Sequence, residues 1–370
     1  MSTHTHPLLR SLPLVTAGLL WSGLGCGQAT SDGDAGEAGE GATSAASADT
    51  ETGGEESATA GEAGDGDGDT GSAGDGDGDP DTAGDGDRDG DGDGDGDING
   101  PLVSGMFTVT QSWSQETDFD RPVFVRVPPG PGPFPVAVLL HGNGGNAMGM
   151  LNDIDYLPGH ILLAPQGYLN SWNLNYEQSK APDVALMEEV LAFVKTHSNV
   201  IDDDIAVLGN SNGSGLVNRL MIELAPGAFR HGVTIVSPLN DLQYREGAFY
   251  FDPTGGNAYD TPITPATGRR LCNVSGVDDG IIPYGGGPGV AGYVFVPAED
   301  SIYVWAQHMG EAGPQLDASA GVPDAADSNL VRFEYLGGDV VHYKVIGAAH
   351  DAGGVDSARA AIAAFLDEAP

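Results

Sequence analysis

Apolar residues beyond position 100 form short continuous runs that alternate with segments of helical periodicity. Continuous runs are typical of strands buried on both faces, and they occur at residues 135–140, 160–164, 204–208, 232–236, 270–274 and 340–345. Antiparallel edge strands are predicted at residues 106–113 and 122–127, and helices at residues 183–195, 213–224, 298–309 and 356–366. This alternation predicts an α/β domain whose mostly parallel sheet is covered by helices on both faces. A ligand should then bind beyond the carboxyl ends of the strands.

The apolar pattern is absent from residues 30–100, which consist mostly of Gly, Asp, Glu, Ala, Ser and Thr and contain no aromatic residue. Such a segment buries too little apolar surface to offset the entropy of ordering it. We therefore predict a disordered acidic linker at residues 27–100 and a single folded domain at residues 101–370.

Part of this linker repeats every ten residues, because Ala63 and Ala73 each begin the sequence Ala-Gly-Asp-Gly-Asp-Gly-Asp. Residues 89–94 superficially resemble the start of a calcium-binding EF-hand loop, but no helical pattern flanks them and no Glu stands at the twelfth position. We favour a self-repelling, extended spacer over a calcium-dependent adhesin.

The first 26 residues resemble a targeting signal. Their apolar run, residues 11–24, is too short to span a bilayer as a stable anchor, and small residues precede Cys26. The pattern predicts a lipoprotein-type signal with lipidation of Cys26, the alternative being an ordinary secretory signal with an incidental cysteine. We expect an exported protein that is secreted, or lipid-anchored to the outer membrane or cell surface with Cys26 as its only membrane contact.

The formal net charge is -40, and residues 31–100 contain 23 of the 54 acidic residues but only one of the 14 basic residues. The domain is also acidic, and an acidic surface repels phosphate groups, so nucleic acid is excluded as a partner. The second cysteine, Cys272, lies in an apolar run, and we expect it to be a small buried residue. No disulfide framework is therefore expected.

The candidate chemistry centres on Gly209-Asn210-Ser211-Asn212-Gly213, which matches G-x-S-x-G. This motif follows a predicted strand and opens a predicted amphipathic helix, the context that a nucleophile elbow requires. The turn is too sharp for a Cβ at either glycine, and it presents the serine at the positive end of the helix. The sequence thus predicts an α/β-hydrolase fold with Ser211 as nucleophile.

An acid and a histidine should follow the nucleophile in that order. Asp278 and Asp279 both lie in the loop after the predicted strand 270–274, and their spacing does not choose between them. His350, in a loop before the last helix, is the expected base, whereas His342 lies inside a strand and is expected to be a sheet residue.

The oxyanion hole should involve the segment His141-Gly142-Asn143-Gly144-Gly145, which directly follows a predicted strand. We expect the backbone N–H groups of Asn143 and Asn212 to face the developing oxyanion. His141 is expected to brace this segment by a hydrogen bond rather than to act as a base.

Several of these stretches occur in an order that resembles a known family. They are residues 139–145, Ala164-Pro165-Gln166-Gly167, Ser171-Trp172-Asn173, Asp183-Val184, residues 209–213, residues 276–284, and Ala298-Glu299-Asp300-Ser301 with Trp305. Over residues 130–367 the chain resembles the secreted bacterial esterases that include polyhydroxybutyrate depolymerases and feruloyl and acetylxylan esterases. The resemblance implies Asp279 as the acid and Trp172 as a residue of the substrate cleft, although a Trp in a loop can equally be plain core. The sequence Asp351-Ala352-Gly353 after His350 departs from the Thr-Trp-Pro of many members.

These inferences predict a serine esterase that acts through an acyl-enzyme on a small or polymeric ester, with Ser211, His350 and Asp279 as triad and no metal or organic cofactor. A catalytically silent surface binding protein with the same fold is the first alternative. A peptidase is the second, because the triad does not distinguish esters from amides.

Overall fold

The computed structural model describes residues 100–175 and 177–368. The predicted signal segment and linker, residues 1–26 and 27–100, lie outside the described residues except for Gly100, and so does Cys26. Among the described residues, no helix combines the length and the apolar character needed to cross a membrane.

Strands and helices alternate along most of the described chain, as the apolar pattern predicts. The strands are β1 (Gly105–Gln111), β2 (Phe119–Arg126), β3 (Phe134–Leu140), β4 (Ile161–Pro165), β5 (Val200–Asn210), β6 (His231–Ile235), β7 (Tyr244–Arg245), β8 (Ala248–Phe251), β9 (Thr261–Ile263), β10 (Arg270–Gly276), β11 (Gly287–Pro288), β12 (Val294–Phe295), β13 (Val322–Pro323), β14 (Leu330–Tyr335) and β15 (Val340–Val345). The helices are α1 (Ala147–Asp153), α2 (Asp183–Val194), α3 (Asn212–Glu223), α4 (Ala298–Met309) and α5 (Asp356–Asp367).

In the part of the chain that the structure describes, ten strands form one sheet in the order β1-β2-β4-β3-β5-β6-β10-β15-β14-β13. The six strands from β4 to β15 in this order run parallel. Antiparallel pairs flank them: β1 with β2 and β2 with β4 at one end of the sheet, and β15 with β14 and β14 with β13 at the other. The parallel core is as predicted, and this strand order is that of an α/β-hydrolase sheet. The shorter strands form two small separate sheets, β7-β8-β9 and β11-β12.

The core lies on both faces of this sheet. One apolar cluster packs α2, α3 and α4 against the sheet, and a second packs α1 and α5 against the opposite face. Strands β4, β6 and β10 are buried along their whole length, which explains why their sequences are largely apolar. Cys272 lies in β10 with no exposed surface, as predicted, and burial raises the pKa of its thiol.

The strand order places the candidate residues together at the carboxyl ends of the parallel strands. Strand β3 has β4 on one side and β5 on the other, so the chain leaves β3 and β5 at a point where the order of strands reverses. Ligands of open parallel sheets bind at the carboxyl ends of the strands beside such a point. The loops that follow β3, β4, β5, β10 and β15 all meet at these carboxyl ends.

Candidate active site

Ser211 lies at a sharp turn between β5 and α3. Its backbone has φ 53° and ψ -114°, a left-handed conformation that residues with a side chain rarely adopt. A Cβ on Gly209 would lie 2.3 Å from the backbone carbon of Gly213, and a Cβ on Gly213 would lie 2.2 Å from the carbonyl oxygen of Leu140. The prediction that neither glycine of the motif tolerates a side chain is confirmed.

The backbone of Ser211 is held on both sides of this turn. Its N–H donates to the carbonyl of Ile235 at 2.8 Å, and its carbonyl accepts from the N–H groups of Ser214 at 2.9 Å and Gly215 at 3.1 Å. These bonds dock the turn on β6 and attach it to the first turn of α3. The serine therefore stands at the helix N-terminus, where the helix dipole favours negative charge.

Ser211, His350 and Asp279 form one hydrogen-bonded chain. Ser211 Oγ lies 2.8 Å from His350 Nε2, and His350 Nδ1 lies 2.7 Å from Asp279 Oδ2. The side chain of the neighbouring Asp278 is exposed, and it is the Asp279 carboxylate that reaches the histidine. The structure thus brings the three predicted residues together in the geometry of nucleophile, base and orienting acid.

The Asp279 carboxylate is nearly buried and takes part in three hydrogen bonds. Burial acts to raise its pKa, but the hydrogen bond from His350 and those from the N–H groups of Ile281 and Ile282, at 2.8 and 2.9 Å, outweigh it. The net result is a pKa below the ordinary value of 3.8. Asp279 is therefore a carboxylate at neutral pH and accepts from all three donors.

The other histidine considered, His342, lies inside β15 and has no contact with Ser211. It is only 1% exposed; its Nδ1 lies 2.7 Å from Asn273 Oδ1 and its Nε2 lies 2.7 Å from the hydroxyl of Tyr284. Burial lowers the pKa of His342 to about 4, so its imidazole is neutral near pH 7. It is the buried sheet residue that its position in the sequence predicts.

Asn212, the first residue of α3, follows the nucleophile directly. Its N–H is one of the donors that a helix leaves without an intrahelical acceptor. Its side chain is fixed by two bonds to the backbone of Trp172: Oδ1 accepts from the N–H at 2.7 Å, and Nδ2 donates to the carbonyl at 3.2 Å. These bonds restrict the residue whose N–H is the expected oxyanion donor.

Asn143 lies in the turn after β3, beside the nucleophile. A Cβ on Gly142 would lie 3.5 Å from the Cβ of Ser211, so the backbone of this turn passes directly next to the serine. The N–H of Gly145 closes the turn by donating to the carbonyl of Gly142 at 3.0 Å, and the N–H of Gly144 donates to the backbone carbonyl of Asn170 at 2.8 Å. The location suits the expected donor role of the Asn143 N–H, which stays a prediction.

His141 braces this turn, as predicted. Its Nδ1 donates to the carbonyl of Gly142 at 2.8 Å, and its Nε2 accepts from the N–H of Gly167 at 3.1 Å. Burial lowers the pKa of His141, and a neutral imidazole is the form that can both donate and accept. The histidine therefore links the turn after β3 with the loop after β4.

Of the two interpretations of Trp172, the structure supports a core residue. Its side chain has no exposed surface, and its Nε1 donates to the carbonyl of His141 at 2.8 Å. The expectation that this side chain lines the substrate cleft is therefore contradicted, because no part of it reaches the surface. Its contribution to the site comes through its backbone, which holds Asn212.

Sequence reasoning missed the role of Gln166, which follows β4. Its Oε1 accepts from the N–H of Ala147 at 2.9 Å, and its Nε2 donates to the carbonyl of Gly167 and to Asn170 Oδ1, both at 3.1 Å. Gln166 thus joins the start of α1 to the loop after β4. The only signal in the sequence was its place in Ala164-Pro165-Gln166-Gly167, which suggested a resemblance but no role.

No protein-family model matches the chain, and no curated protein matches it. Similar solved structures include an acetyl xylan esterase from Aspergillus awamori, with 14% identity over 70% of this chain and 99% of that chain and a TM-score of 0.49. They also include a Bacillus cereus carboxylesterase (12% identity, 66% of this chain, 92% of that chain, TM-score 0.41) and Thermogutta terrifontis esterase 2 (14%, 72%, 93%, TM-score 0.43). The strand order described above, rather than these similarities, assigns the chain to the α/β-hydrolase fold.

Proposed function

We propose that the protein is a serine hydrolase that cleaves carboxylic esters. The observation that carries the proposal is the continuous chain from Ser211 Oγ through His350 to the Asp279 carboxylate, with separations of 2.8 and 2.7 Å. A serine activated in this way beside backbone N–H donors is the arrangement that acyl transfer requires.

In the proposed reaction Ser211 Oγ attacks the ester carbonyl carbon while its proton passes to His350 Nε2. The N–H groups of Asn143 and Asn212 stabilise the oxyanion, and ionised Asp279 stabilises the imidazolium. The bond to the alcohol then breaks, His350 returns the proton to the leaving oxygen, and an acyl-serine remains. Water, activated by the same histidine, releases the acid and restores Ser211.

The surroundings of the site support an ester with apolar character. Of the eight large apolar side chains that are exposed in the described residues, four lie on segments that follow the carboxyl ends of β3, β4, β10 and β15: Met148, Leu169, Ile281 and Ile346. Exposed apolar groups on segments that border a site favour a ligand with apolar parts. We therefore propose a polyhydroxybutyrate-type polyester or a feruloyl or acetyl sugar ester, to be distinguished by comparing polyhydroxybutyrate, methyl ferulate and p-nitrophenyl esters of increasing chain length.

The decisive test of the reaction is Ser211→Ala. It should reduce ester turnover to background and abolish labelling by a fluorophosphonate, while the thermal unfolding transition stays cooperative. Ser319→Ala is a matched control, since Ser319 is exposed and lies outside the loops of the site. Labelling of another serine, or turnover retained in Ser211→Ala, would show the nucleophile to be wrong. A wild-type protein that binds esters without turnover would support the silent binding protein.

A further inference from the structure

A second hydrogen-bonded chain, partly buried, lies next to the triad. It joins the acid loop, residues 277–284, to β15, the strand that leads to His350. His342 Nε2 lies 2.7 Å from the hydroxyl of Tyr284, and that hydroxyl lies 2.8 Å from Glu299 Oε1 at the start of α4. Lys344, also on β15, donates to the same carboxylate oxygen at 3.1 Å.

The register of the sheet places the other end of this chain in the apolar core. Thr234, Asn273 and His342 are direct neighbours across β6, β10 and β15, and none is more than 2% exposed. The side-chain amide of Asn273 lies 2.9 Å from Thr234 Oγ1 and 2.7 Å from His342 Nδ1. Polar groups at such positions are costly unless they are hydrogen-bonded, so the row is held in one arrangement.

The Glu299 carboxylate is the acceptor at one end of this chain. For Glu299, burial acts to raise the pKa, but the hydrogen bonds from Tyr284 and Lys344 outweigh it and the pKa lies below its ordinary value, so the carboxylate only accepts. Tyr284 has a single hydroxyl proton between Glu299 Oε1 and His342 Nε2, and the tautomer of His342 sets the direction of the two bonds that its ring makes. Asn273 Oδ1, which faces His342 Nδ1, also accepts from Ser275 Oγ at 3.0 Å.

Tyr284 also fixes the far end of the acid loop. Its carbonyl accepts from the N–H of Ala298 at 2.9 Å, at the start of α4. The near end is fixed by the Asp279 carboxylate, which accepts from the N–H groups of Ile281 and Ile282. Between these two attachments the loop has little freedom to carry Asp279 away from His350.

We propose that Tyr284 is a positioning residue for the triad. Through His342 it couples the acid loop to the strand that delivers His350, and through Glu299 it couples the loop to α4. The Asp279–His350 hydrogen bond then keeps its length during turnover. This inference rests on the proposed serine hydrolase function.

The test is Tyr284→Phe, which removes the hydroxyl and keeps the ring. We expect kcat to fall by about 10- to 100-fold with KM changed by less than about 2-fold, because a misplaced acid weakens catalysis and not binding. The deshielded proton between His350 Nδ1 and Asp279, followed by NMR, should shift and broaden. His342→Gln should behave in the same way, and the double variant should lose little more kcat than either single variant, since the two act as a unit.

Tyr335→Phe is the matched control. Tyr335 is a buried tyrosine on the neighbouring strand β14 whose hydroxyl accepts from the N–H of Leu316 at 3.1 Å, and it has no bond to the acid loop. It should lose stability similarly while keeping kcat and the NMR signal. The proposal is wrong if Tyr284→Phe only loses stability and keeps its kcat and NMR signal. It is also wrong if kcat falls while the NMR signal is unchanged. Should Tyr284→Phe not fold, Glu299→Gln, which retains an acceptor, and His342→Gln are judged by the same criteria.

Failure of the underlying function would be seen separately. A wild-type protein without ester turnover or phosphonate labelling would refute the hydrolase proposal. The hydrogen bond between His350 and Asp279 is present in the resting protein, so the NMR response of its proton to Tyr284→Phe tests the coupling even then.

Discussion

The substitution Asp279→Asn changes one carboxylate oxygen to an amide and preserves the shape of the side chain. Two of its hydrogen bonds can survive, because the amide oxygen can still accept from the N–H groups of Ile281 and Ile282. The amide NH₂ then faces His350 Nδ1 in place of Oδ2, at the 2.7 Å contact. Two donors cannot share a hydrogen bond, so Nδ1 loses its proton and Nε2 carries it. In this tautomer the histidine cannot accept the proton of Ser211.

The expected magnitude follows from this tautomer change. We expect kcat to fall by about 10³- to 10⁴-fold, which corresponds to a barrier increase of about 4 to 5.5 kcal/mol. Asp278→Asn is the matched control, since its side chain is exposed and its backbone N–H keeps the 2.9 Å bond to the Ala348 carbonyl. Its kcat should stay within about 2-fold of the wild-type value.

The assay is steady-state hydrolysis of p-nitrophenyl butyrate, with kcat and KM determined separately and the folded state checked by circular dichroism. KM should change little for either variant, because the acid does not contact the substrate. A loss of less than about tenfold for Asp279→Asn, or a larger loss for Asp278→Asn, would refute the argument from the tautomer.

Two further predictions concern stability. Gly213→Ala should destabilise the fold by about 3 kcal/mol or more and abolish phosphonate labelling, because its Cβ would lie 2.2 Å from a carbonyl oxygen. The control Gly159→Ala, with no atom within 4 Å of its Cβ, should change urea unfolding by less than about 0.5 kcal/mol. For His342, the folded pKa of about 4 lies below the ordinary 6.5, so between these values the unfolded chain binds a proton that the folded protein excludes. The wild-type free energy of unfolding should therefore fall as the pH is lowered through this window and not further below it, and His342→Gln should show a shallower fall. Equal slopes, measured by urea unfolding between about pH 7 and about pH 4.5, would contradict the neutral buried imidazole.

The nucleophile elbow was predictable because its determinants are local. The apolar run before Gly209, the two glycines and the amphipathic helix after Ser211 are contiguous in the sequence, and each has a direct physical requirement in the turn. The choice between Asp278 and Asp279 was different. Adjacent residues in a loop present their side chains in different directions, and only the backbone path decides which carboxylate meets the histidine. Spacing therefore left both open, and the resemblance was needed to choose.

Elements with weak local patterns were missed. Helix α1 has only seven residues with Gly149 among them, and the Asn146 cap that accepts from the Gly149 N–H is not distinctive in a loop rich in Asn and Gly. In β14 the buried positions Leu330, Phe333 and Tyr335 do not alternate strictly, so the period of a half-buried strand is lost. Strand β5 begins earlier than predicted because its amino end extends beyond the core, where acidic residues are exposed.

The row that includes Asn273 and His342 illustrates what a sequence pattern cannot provide. Each residue is a buried polar position in a mostly apolar strand, and taken alone it would look unfavourable. Their meeting depends on which strands are neighbours and in what register, and these are properties of the complete sheet.

The attachment of Asn212 to the backbone of Trp172 bears on how this scaffold could be re-engineered. The segment between β4 and α2 is an obvious place to graft new specificity, since it borders the site and begins and ends at regular elements. Because the hydrogen bonds of the Asn212 side chain all end on that segment, a graft that moves the backbone of Trp172 also moves the residue beside the nucleophile. Libraries in this segment should therefore keep the backbone geometry of residues 171–173 and vary the solvent-facing positions around it. Variants selected only for tighter binding would otherwise lose turnover in the same step.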